Sequence, residues 1–320
     1  MTANRSTATA QGKINLHLAV GDVRPDGYHE LTTVFQAVDL TERVTIEYVG
    51  DADSSGIRSL TVSGFDAHLV PTDSSNLAWR AVEAIQKLDG AHTGGQSVSI
   101  HIDKGVPVAG GMAGGSADAA AALLAASDLF FRDNPADAPD MNTLMSIAAE
   151  LGADVPFCLH GGTALGTGKG ENLVPVMTSG TYHWAIATDK RGLSTPSVFA
   201  QLDKQREVAA AGQRPNRRTG TPDALMLALR SGDPHQLAEH LSNDLQAPAI
   251  SLLPSLRQTL QAAREAGALA AIISGSGPTV AMLCTDHDHA VDVATAVSVS
   301  GTASATLTTS TPGPAAGVEK

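Results

Sequence analysis

Residues 110–118 read Gly-Gly-Met-Ala-Gly-Gly-Ser-Ala-Asp and lead into an alanine-rich run that continues to about Phe130. Glycines permit positive φ and close backbone approach, so several amide N–H groups can converge on one ligand. A helix starting there adds favourable potential for an anion, so the segment reads as a phosphate cradle; the plain alternative is a flexible loop with Ser116 as an N-cap. It is not a Walker A loop. The nearest fit to that motif, ending Gly166-Thr167-Gly168-Lys169-Gly170, has Thr163 where the first glycine belongs and Gly170 where Ser or Thr belongs. No predicted strand is followed by the dinucleotide fingerprint G-x-G-x-x-G. A second glycine cluster, Ser274-Gly275-Ser276-Gly277-Pro278-Thr279, lies between Ala271-Ile272-Ile273 and Val280-Ala281-Met282. Alone it could be a tight connection between strands; paired with the first loop it suggests a second wall of one site. Neither loop is a nucleophile elbow, because Ser276 is flanked by Ser274 and Pro278 and Ser116 has Asp118 downstream, so serine-hydrolase chemistry loses its support. Lys13 and Asp154 taken singly are ordinary charged residues. His287 and His289 with Asp286 and Asp288 read as a polar turn, His235 and His240 are five apart, and no structural metal is expected.

A loop holds a phosphate only if its flanking elements fix it. Ile14, Leu16, Leu18 and Val20 alternate with Lys13, Asn15 and His17, which predicts an early strand with one wet face. A turn at Arg24-Pro25-Asp26-Gly27, followed by Tyr28-His29-Glu30, separates it from β-like runs at 31–38 and 44–48. Asp73 to Asn76 caps a helix bearing Leu77, Ala78, Val82, Ile85 and Leu88 on helical spacing. A strand over 97–103 ends at Lys104-Gly105-Val106-Pro107, just before the glycine loop. Leu144, Ile147, Ala148 and Leu151 predict a helix that stops at Gly152 as a C′ residue, with Asp154 just beyond and Pro156 after it. Glycine density over 161–170 marks the domain boundary, giving a first domain at 1–166 that holds the glycine loop and a second at 167–311. The second domain has predicted strands at 183–188, 271–274, 280–284 and 304–309 and helices near 197–205, 222–229, 237–245 and 253–265. Residues 211–221 read as an exposed mobile loop and 312–320 as a frayed tail.

A chain of 320 residues makes one large domain or two ordinary ones, and 42% hydrophobic with 17% charged residues fits a folded globular protein. Twenty-one Lys and Arg against 33 Asp and Glu give a net charge of −12, which disfavours nucleic acid as a partner. Met1 to Gln11 is polar, and nowhere do about 18 apolar residues run together, so no membrane partner is expected and a cytoplasmic location follows by default. Cys158 and Cys284 show no CxxC spacing and read as reduced core residues.

Five blocks occur in a telling order: Lys13-Ile14-Asn15-Leu16, Asp26-Gly27-Tyr28-His29-Glu30, Pro107 to Asp118, Gly152-Ala153-Asp154-Val155-Pro156-Phe157, and Ser274 to Thr279. Together they resemble the GHMP kinase superfamily, from about Lys13 to the last predicted strand. The blocks at 26–29 and 152–156 bring the resemblance nearest to members that phosphorylate CDP-methylerythritol in the non-mevalonate (MEP) isoprenoid pathway. Two departures stand out. Gln11-Gly12 replaces the usual Pro-Ala, which alters only how the strand begins, and Ala117-Asp118 replaces a Ser-Asn or Ser-Ser pair, which leaves Ser116 as the phosphate-contacting hydroxyl.

The resemblance implies an α+β, two-subdomain GHMP kinase fold, with a ribosomal protein S5 domain 2-like N-terminal half, a ferredoxin-like C-terminal half and the active site in the cleft. It implies ATP lying along Pro107, Val108, Ala109, Gly110, Gly111, Met112, Ala113, Gly114, Gly115, Ser116 and Ala117, with Asn76 and Lys104 near the nucleotide. The cytosine of the substrate would stack on Tyr28, with Phe199 as a second face and His29 reading its edge; Asn15 would hydrogen-bond the substrate, and Gly275, Ser276 and Gly277 would form the second wall. Asp154 would accept the proton of the 2-hydroxyl and Lys13 would orient that hydroxyl and offset charge on the γ-phosphoryl group. Mg²⁺ would be held mainly by phosphate oxygens and water, with no protein metal cage, and the protein would be a monomer or weak homodimer. Competing readings are a GHMP kinase for homoserine, mevalonate or a sugar, which would not need Tyr28-His29, and a nucleotide-binding module without turnover, which would need neither Lys13 nor Asp154. A nicotinamide-dependent dehydrogenase is a distant third.

Overall fold

Two long strands take up most of the first fifty residues in the computed structural model, which describes residues 4–49, 56–88, 91, 96–108, 110–212 and 219–320. β1 (Arg5–Val23) and β2 (His29–Val49) form an antiparallel hairpin whose register shifts between Gln11 and Lys13 and again between Asn15 and His17. Such bulges re-aim side chains, and these two bracket Lys13 and Asn15. The two β-like runs expected at 31–38 and 44–48 are one strand, because β2 pairs two partners in succession along its other edge. Then come β3 (Ile57–Gly64), α1 (Leu77–Gln86), β4 (Ser97–Lys104), α2 (Gly114–Phe130), α3 (Met141–Leu151), α4 (Val155–His160), β5 (Thr163–Gly168) and β6 (Asn172–Pro175). The remainder is β7 (Tyr182–Thr188), α5 (Thr195–Ala211), α6 (Asp223–Ser231), α7 (Pro234–Ala238), β8 (Ser242–Asn243), α8 (Gln246–Leu252), α9 (Ser255–Glu265), β9 (Ala270–Ile273), β10 (Val280–Cys284), α10 (His287–Val299), β11 (Ala305–Thr311) and β12 (Gly317–Val318).

The first sheet runs β12-β1-β2-β4-β3, with β5 also on β2, β6 on β5 and β8 on β1; the second runs β11-β7-β10-β9. The second sheet is the fourth-first-third-second order of a ferredoxin-like β-α-β-β-α-β unit. One face of the first sheet packs on α1, α2 and α3, where Val44, Ile46, Ile100 and Ile102 meet Ala81, Ile85 and the alanines of α2. Those alanines are buried all round the helix, and with only methyl groups to place they let its axis lie close to the sheet. The opposite face meets the second sheet: Ile14, Leu16, Val34 and Val38 pack against Tyr182, Trp184, Ile186 and Leu283. Trp184 donates from Nε1 to Thr311 Oγ1 (3.0 Å), and Thr311 donates to Gln36 Oε1 (2.6 Å), so the one polar atom of the largest buried side chain ties the sheets together. The expected wet face of β1 is largely buried: Lys13, Asn15 and His17 are 4%, 3% and 2% exposed, and Lys13 and Asn15 line a cleft rather than the open surface.

Several expectations are corrected. The proposed boundary at 166/167 cuts β5, which pairs Leu31–Gln36 of β2 and belongs to the first sheet. The stretch 312–320 is no frayed tail: β12 pairs Ala8 and Thr9, and Arg43 holds the carboxylate of Glu319, so the chain end closes the sheet edge beside β1. The helix expected at 237–245 is broken at β8, where Asn243 donates from Nδ2 to the carbonyls of Ile273 and Gly275 (2.7 and 2.8 Å) and so props the second glycine loop. The polar turn at 286–289 is the first turn of α10, with the Asp286 side chain accepting from the His289 amide. Gly152 ends α3 in an extended conformation, φ 175°, so no left-handed C′ is needed. Of the expected loop at 211–221, Ala211 ends α5 and Thr219 bonds Asp244, while 213–218 lie outside the described residues.

Candidate active site

Lys13 and Asn15 point from the bulged part of β1 into a cleft of about 850 Å³ between the two halves. Lys13 Nζ donates to Asn15 Oδ1 (2.7 Å), Asn15 Nδ2 donates to Thr33 Oγ1 (2.8 Å) and Thr33 donates to the His17 carbonyl (2.7 Å). This relay fixes the ammonium at a single place. Asp154, far along the chain, brings Oδ2 to 3.6 Å from Lys13 Nζ, with its side chain 34% exposed. It occupies the N-cap position of α4, yet its carboxylate caps no amide, so both oxygens remain available in the cleft. A buried cation beside an accessible carboxylate is equipped to deprotonate a hydroxyl and to steady the charge that develops on its partner.

The glycine loop enters the cleft beside this pair. Ala113, in the left-handed region at φ 59°, is the N-cap of α2, so the helix begins at Gly114 rather than at Ser116. The amides of Gly114, Gly115 and Ser116 have no carbonyl one turn earlier within the helix, and a Cβ at Gly115 would meet open space. The two glycine clusters are stitched together: Ser274 Oγ donates to the Gly111 carbonyl (3.1 Å) and the Thr279 amide to the Gly110 carbonyl (3.2 Å). A Cβ on Gly111 would lie 2.4 Å from the Ser274 carbonyl oxygen, so glycine is what permits the approach. Gly275, at φ 55°, passes close to the relay: a Cβ there would sit 3.3 Å from Asn15 Oδ1 and 3.5 Å from Lys13 Nζ.

Of the residues expected along ATP, Gly110, Gly111, Ala113, Gly114, Gly115 and Ser116 line the cleft. Met112 and Ala117 are buried in hydrophobic cores, Pro107 and Val108 lie off the cleft wall, and Ala109 lies outside the described residues. Asn76 is turned into the fold, its Oδ1 accepting from the Ala78 amide and its Nδ2 donating to the Pro71 carbonyl; Leu77 faces the cleft instead. Lys104 is likewise corrected. Its Nζ lies 2.6 Å from Asp118 Oδ2 and 2.6 Å from Glu42 Oε1, in a dry triad beneath the first turn of α2. A Cβ on Gly114 would come within 2.9 Å of Glu42 Oε1, so the helix start is seated directly on the triad. Burial and then the neighbouring Asp118 charge push the Glu42 carboxyl up to about 8, and burial raises Asp118 as well. Burial would lower Lys104, but Asp118 and Glu42 outweigh it and hold the ammonium charged.

The far end of the cleft is aromatic. Tyr28, 59% exposed, stands in the turn between β1 and β2, and His29 follows at the buried start of β2. Phe199 lines the same cleft and stacks on the His29 ring at 5.0 Å and 28°. His29 Nε2 donates to Asp203 Oδ1 (2.9 Å), one turn beyond Phe199 on α5. Gly275 and Ser276 line the cleft, and Ser276 shares a hydrogen bond with Thr195 (2.9 Å); Gly277 turns away, toward Ile273. Sequence reasoning missed Thr33, Asp203, Thr195 and Lys169 as cleft residues. Asp203 carried a signal, the i+4 spacing from Phe199.

Residues 76–162 match the family described as GHMP kinases N terminal domain, and 225–301 match GHMP kinases C terminal. The chain is 63% identical to a 4-diphosphocytidyl-2-C-methyl-D-erythritol kinase of Corynebacterium jeikeium (strain K411), covering 98% of this chain and 94% of that one. Among solved structures, a 4-(cytidine 5'-diphospho)-2C-methyl-D-erythritol kinase superposes with a TM-score of 0.73 at 29% identity, covering 96% of this chain and 100% of that one. L. major mevalonate kinase, in complex with R-mevalonate, gives 0.77 at 14% identity over 98% of each chain, a likeness of fold alone.

Proposed function

The chain belongs to the GHMP kinases, among the 4-diphosphocytidyl-2-C-methyl-D-erythritol kinases, and on that premise we propose that it transfers the γ-phosphoryl group of ATP to the 2-hydroxyl of 4-diphosphocytidyl-2-C-methyl-D-erythritol. The products are the 2-phosphate and ADP, a step toward isoprenoid precursors. The observation that carries this reading is the 3.6 Å approach of Lys13 and Asp154 in the same cleft as an aromatic end built from Tyr28, His29 and Phe199.

The triphosphate lies across the α2 N-terminus, with the free amides of Gly114, Gly115 and Ser116 facing its oxygens. Asp154 takes the proton of the 2-hydroxyl as its oxygen bonds to the γ-phosphorus and the bond to the bridging oxygen of ADP breaks. Lys13, held by Asn15, keeps that hydroxyl in line and meets the negative charge on the transferring group. Asn15 holds Lys13 through Oδ1 and Thr33 through one Nδ2 hydrogen, and its second amide hydrogen serves as the donor to the substrate. The donor set suits Mg²⁺. Ser116 and Asp154 both offer oxygen in the cleft and would hold the ion together with phosphate oxygens and water. When bound it neutralises phosphate charge. Among the described residues no helix is long and apolar enough to cross a membrane; we place the reaction in the cytoplasm, in a monomer or weak homodimer.

The test is ADP release with Mg²⁺-ATP and, in parallel, 4-diphosphocytidyl-2-C-methyl-D-erythritol, homoserine and mevalonate, with phosphorus NMR on the product. Turnover with the cytidine substrate alone, and a new phosphomonoester resonance, is expected. Turnover with another alcohol would discard the substrate, and nucleotide binding without any turnover would discard the kinase.

A further inference from the structure

Lys169, the lysine of the rejected Walker-like stretch, lines the cleft at its aromatic end. The β5–β6 connection displays it between Gly168 at φ 76° and Gly170 at φ 110°, conformations that side chains rarely adopt, so the glycines set the lysine out at the tip of the turn. Its Nζ lies 3.9 Å from the Tyr28 ring centroid and 3.2 Å from Asp26 Oδ2. A second tie runs beside it, where the Gly168 amide donates to Glu30 Oε1 (3.1 Å) and Glu30 Oε2 meets Arg24 Nη1 (3.2 Å). The exposed turn carrying Tyr28 is thus gripped on both flanks by the next hairpin.

We propose that Lys169 is a positioning residue for nucleoside recognition: its ammonium, neutralised by Asp26, caps one face of the Tyr28 ring and holds the other toward the cleft as the stacking surface for the base. This rests on the kinase reading above. An aromatic ring 59% exposed in a turn has rotamer freedom to lose on binding, and a cation fixed over its face removes that freedom beforehand. The ammonium already has a carboxylate at 3.2 Å in the turn it grips, which assigns it to the tyrosine rather than to the substrate diphosphate.

The experiment compares wild type, Lys169→Met, Lys169→Arg, Tyr28→Ala and the Tyr28→Ala/Lys169→Met double variant. Each is assayed for KM of both substrates and for binding of cytidine and CDP by calorimetry. Lys169→Met is expected to raise KM for the cytidine substrate about 3- to 5-fold, to leave KM for ATP and kcat within about twofold, and to weaken cytidine and CDP equally. Lys169→Arg keeps the cation and is expected to stay within about twofold of wild type. In the Tyr28→Ala background Lys169→Met should add nothing, because the lysine acts through the ring. Additive losses in the double variant, or a loss confined to CDP, would overturn the proposal and put the ammonium on the phosphates. Wild type inactive on the cytidine substrate would instead overturn the kinase reading, while the cytidine titrations would still decide the role of Lys169.

Discussion

The two ends of the cleft are held by different means. At the phosphoryl end, Lys13 and Asn15 are two residues apart on one bulged strand, 4% and 3% exposed, and joined by a relay that ends on a backbone carbonyl. The glycine loop there is fixed by backbone contacts with a second loop and by the helix seated on Lys104, Glu42 and Asp118. At the nucleoside end, Tyr28 and His29 are positioned by side chains from β5–β6 and from α5, the last 174 residues away in sequence. The first end is preorganised by the fold itself and the second by side-chain ties across it. Damage to the first should therefore appear in stability or kcat, and damage to the second in KM.

The largest effect expected is from Lys104→Met. It leaves Glu42 and Asp118 buried with no counter-charge, a change that costs about 3–5 kcal/mol when a buried pair loses one partner. Urea unfolding checks it. If Lys104 touched the nucleotide instead, stability would hold and KM for ATP alone would rise, which would erase the contrast between floor and cleft. Next comes Asp154→Asn, expected to lower kcat about 10²-fold or more with the unfolding midpoint unchanged, because the carboxylate caps nothing and is partly exposed. Near-normal kcat would remove Asp154 from the proton transfer. Tyr28→Ala should raise KM for the cytidine substrate about tenfold, the scale of one lost base-stacking surface, and leave KM for ATP alone. Equal changes in both would mean that the two ends are not separable.

Local signals in the sequence reached different depths at these two ends. Alternation located β1 and so put Lys13 and Asn15 on one face, and the glycine density of 110–115 marked the α2 start. The meeting of Lys13 with Asp154 had no local signal, since it depends on α4 packing beside β1, and only the resemblance supplied it. The resemblance alone put Lys104 and Asn76 near the nucleotide. The structure keeps Asn76 as the helix cap that the sequence shows and spends Lys104 on a buried triad, which follows from tertiary burial and not from spacing. Lys169 was set aside because its stretch failed as a phosphate motif, yet the two glycines that suggested one also serve a tight turn. The chain end was misread for a similar reason: Gly317–Val318 is too short to show alternation, and it becomes a strand only because β1 offers an open edge.

A pH dependence sharpens the contrast most directly, because it asks whether the floor of the phosphoryl end stores a proton. Two carboxylates share one ammonium there, and like charges in one dry site do not both ionise freely. Glu42 is pushed from 4.5 to about 8, first by burial and then by Asp118. Across that window the folded chain binds more protons than the unfolded one, so this group's stabilisation is full below about 4.5 and fades as pH rises through about 8. Glu42→Gln has nearly the same shape, cannot titrate, and leaves Lys104 and Asp118 as a simple pair. Thermal unfolding from pH 5 to 8.5 should then show the Glu42→Gln midpoint gaining on wild type steadily with pH, whereas Tyr28→Ala, at the other end, should run parallel to wild type. Parallel curves for Glu42→Gln as well would mean that both carboxylates are charged throughout, and that the ammonium beneath the helix, rather than a shared proton, is what keeps the phosphoryl end in place.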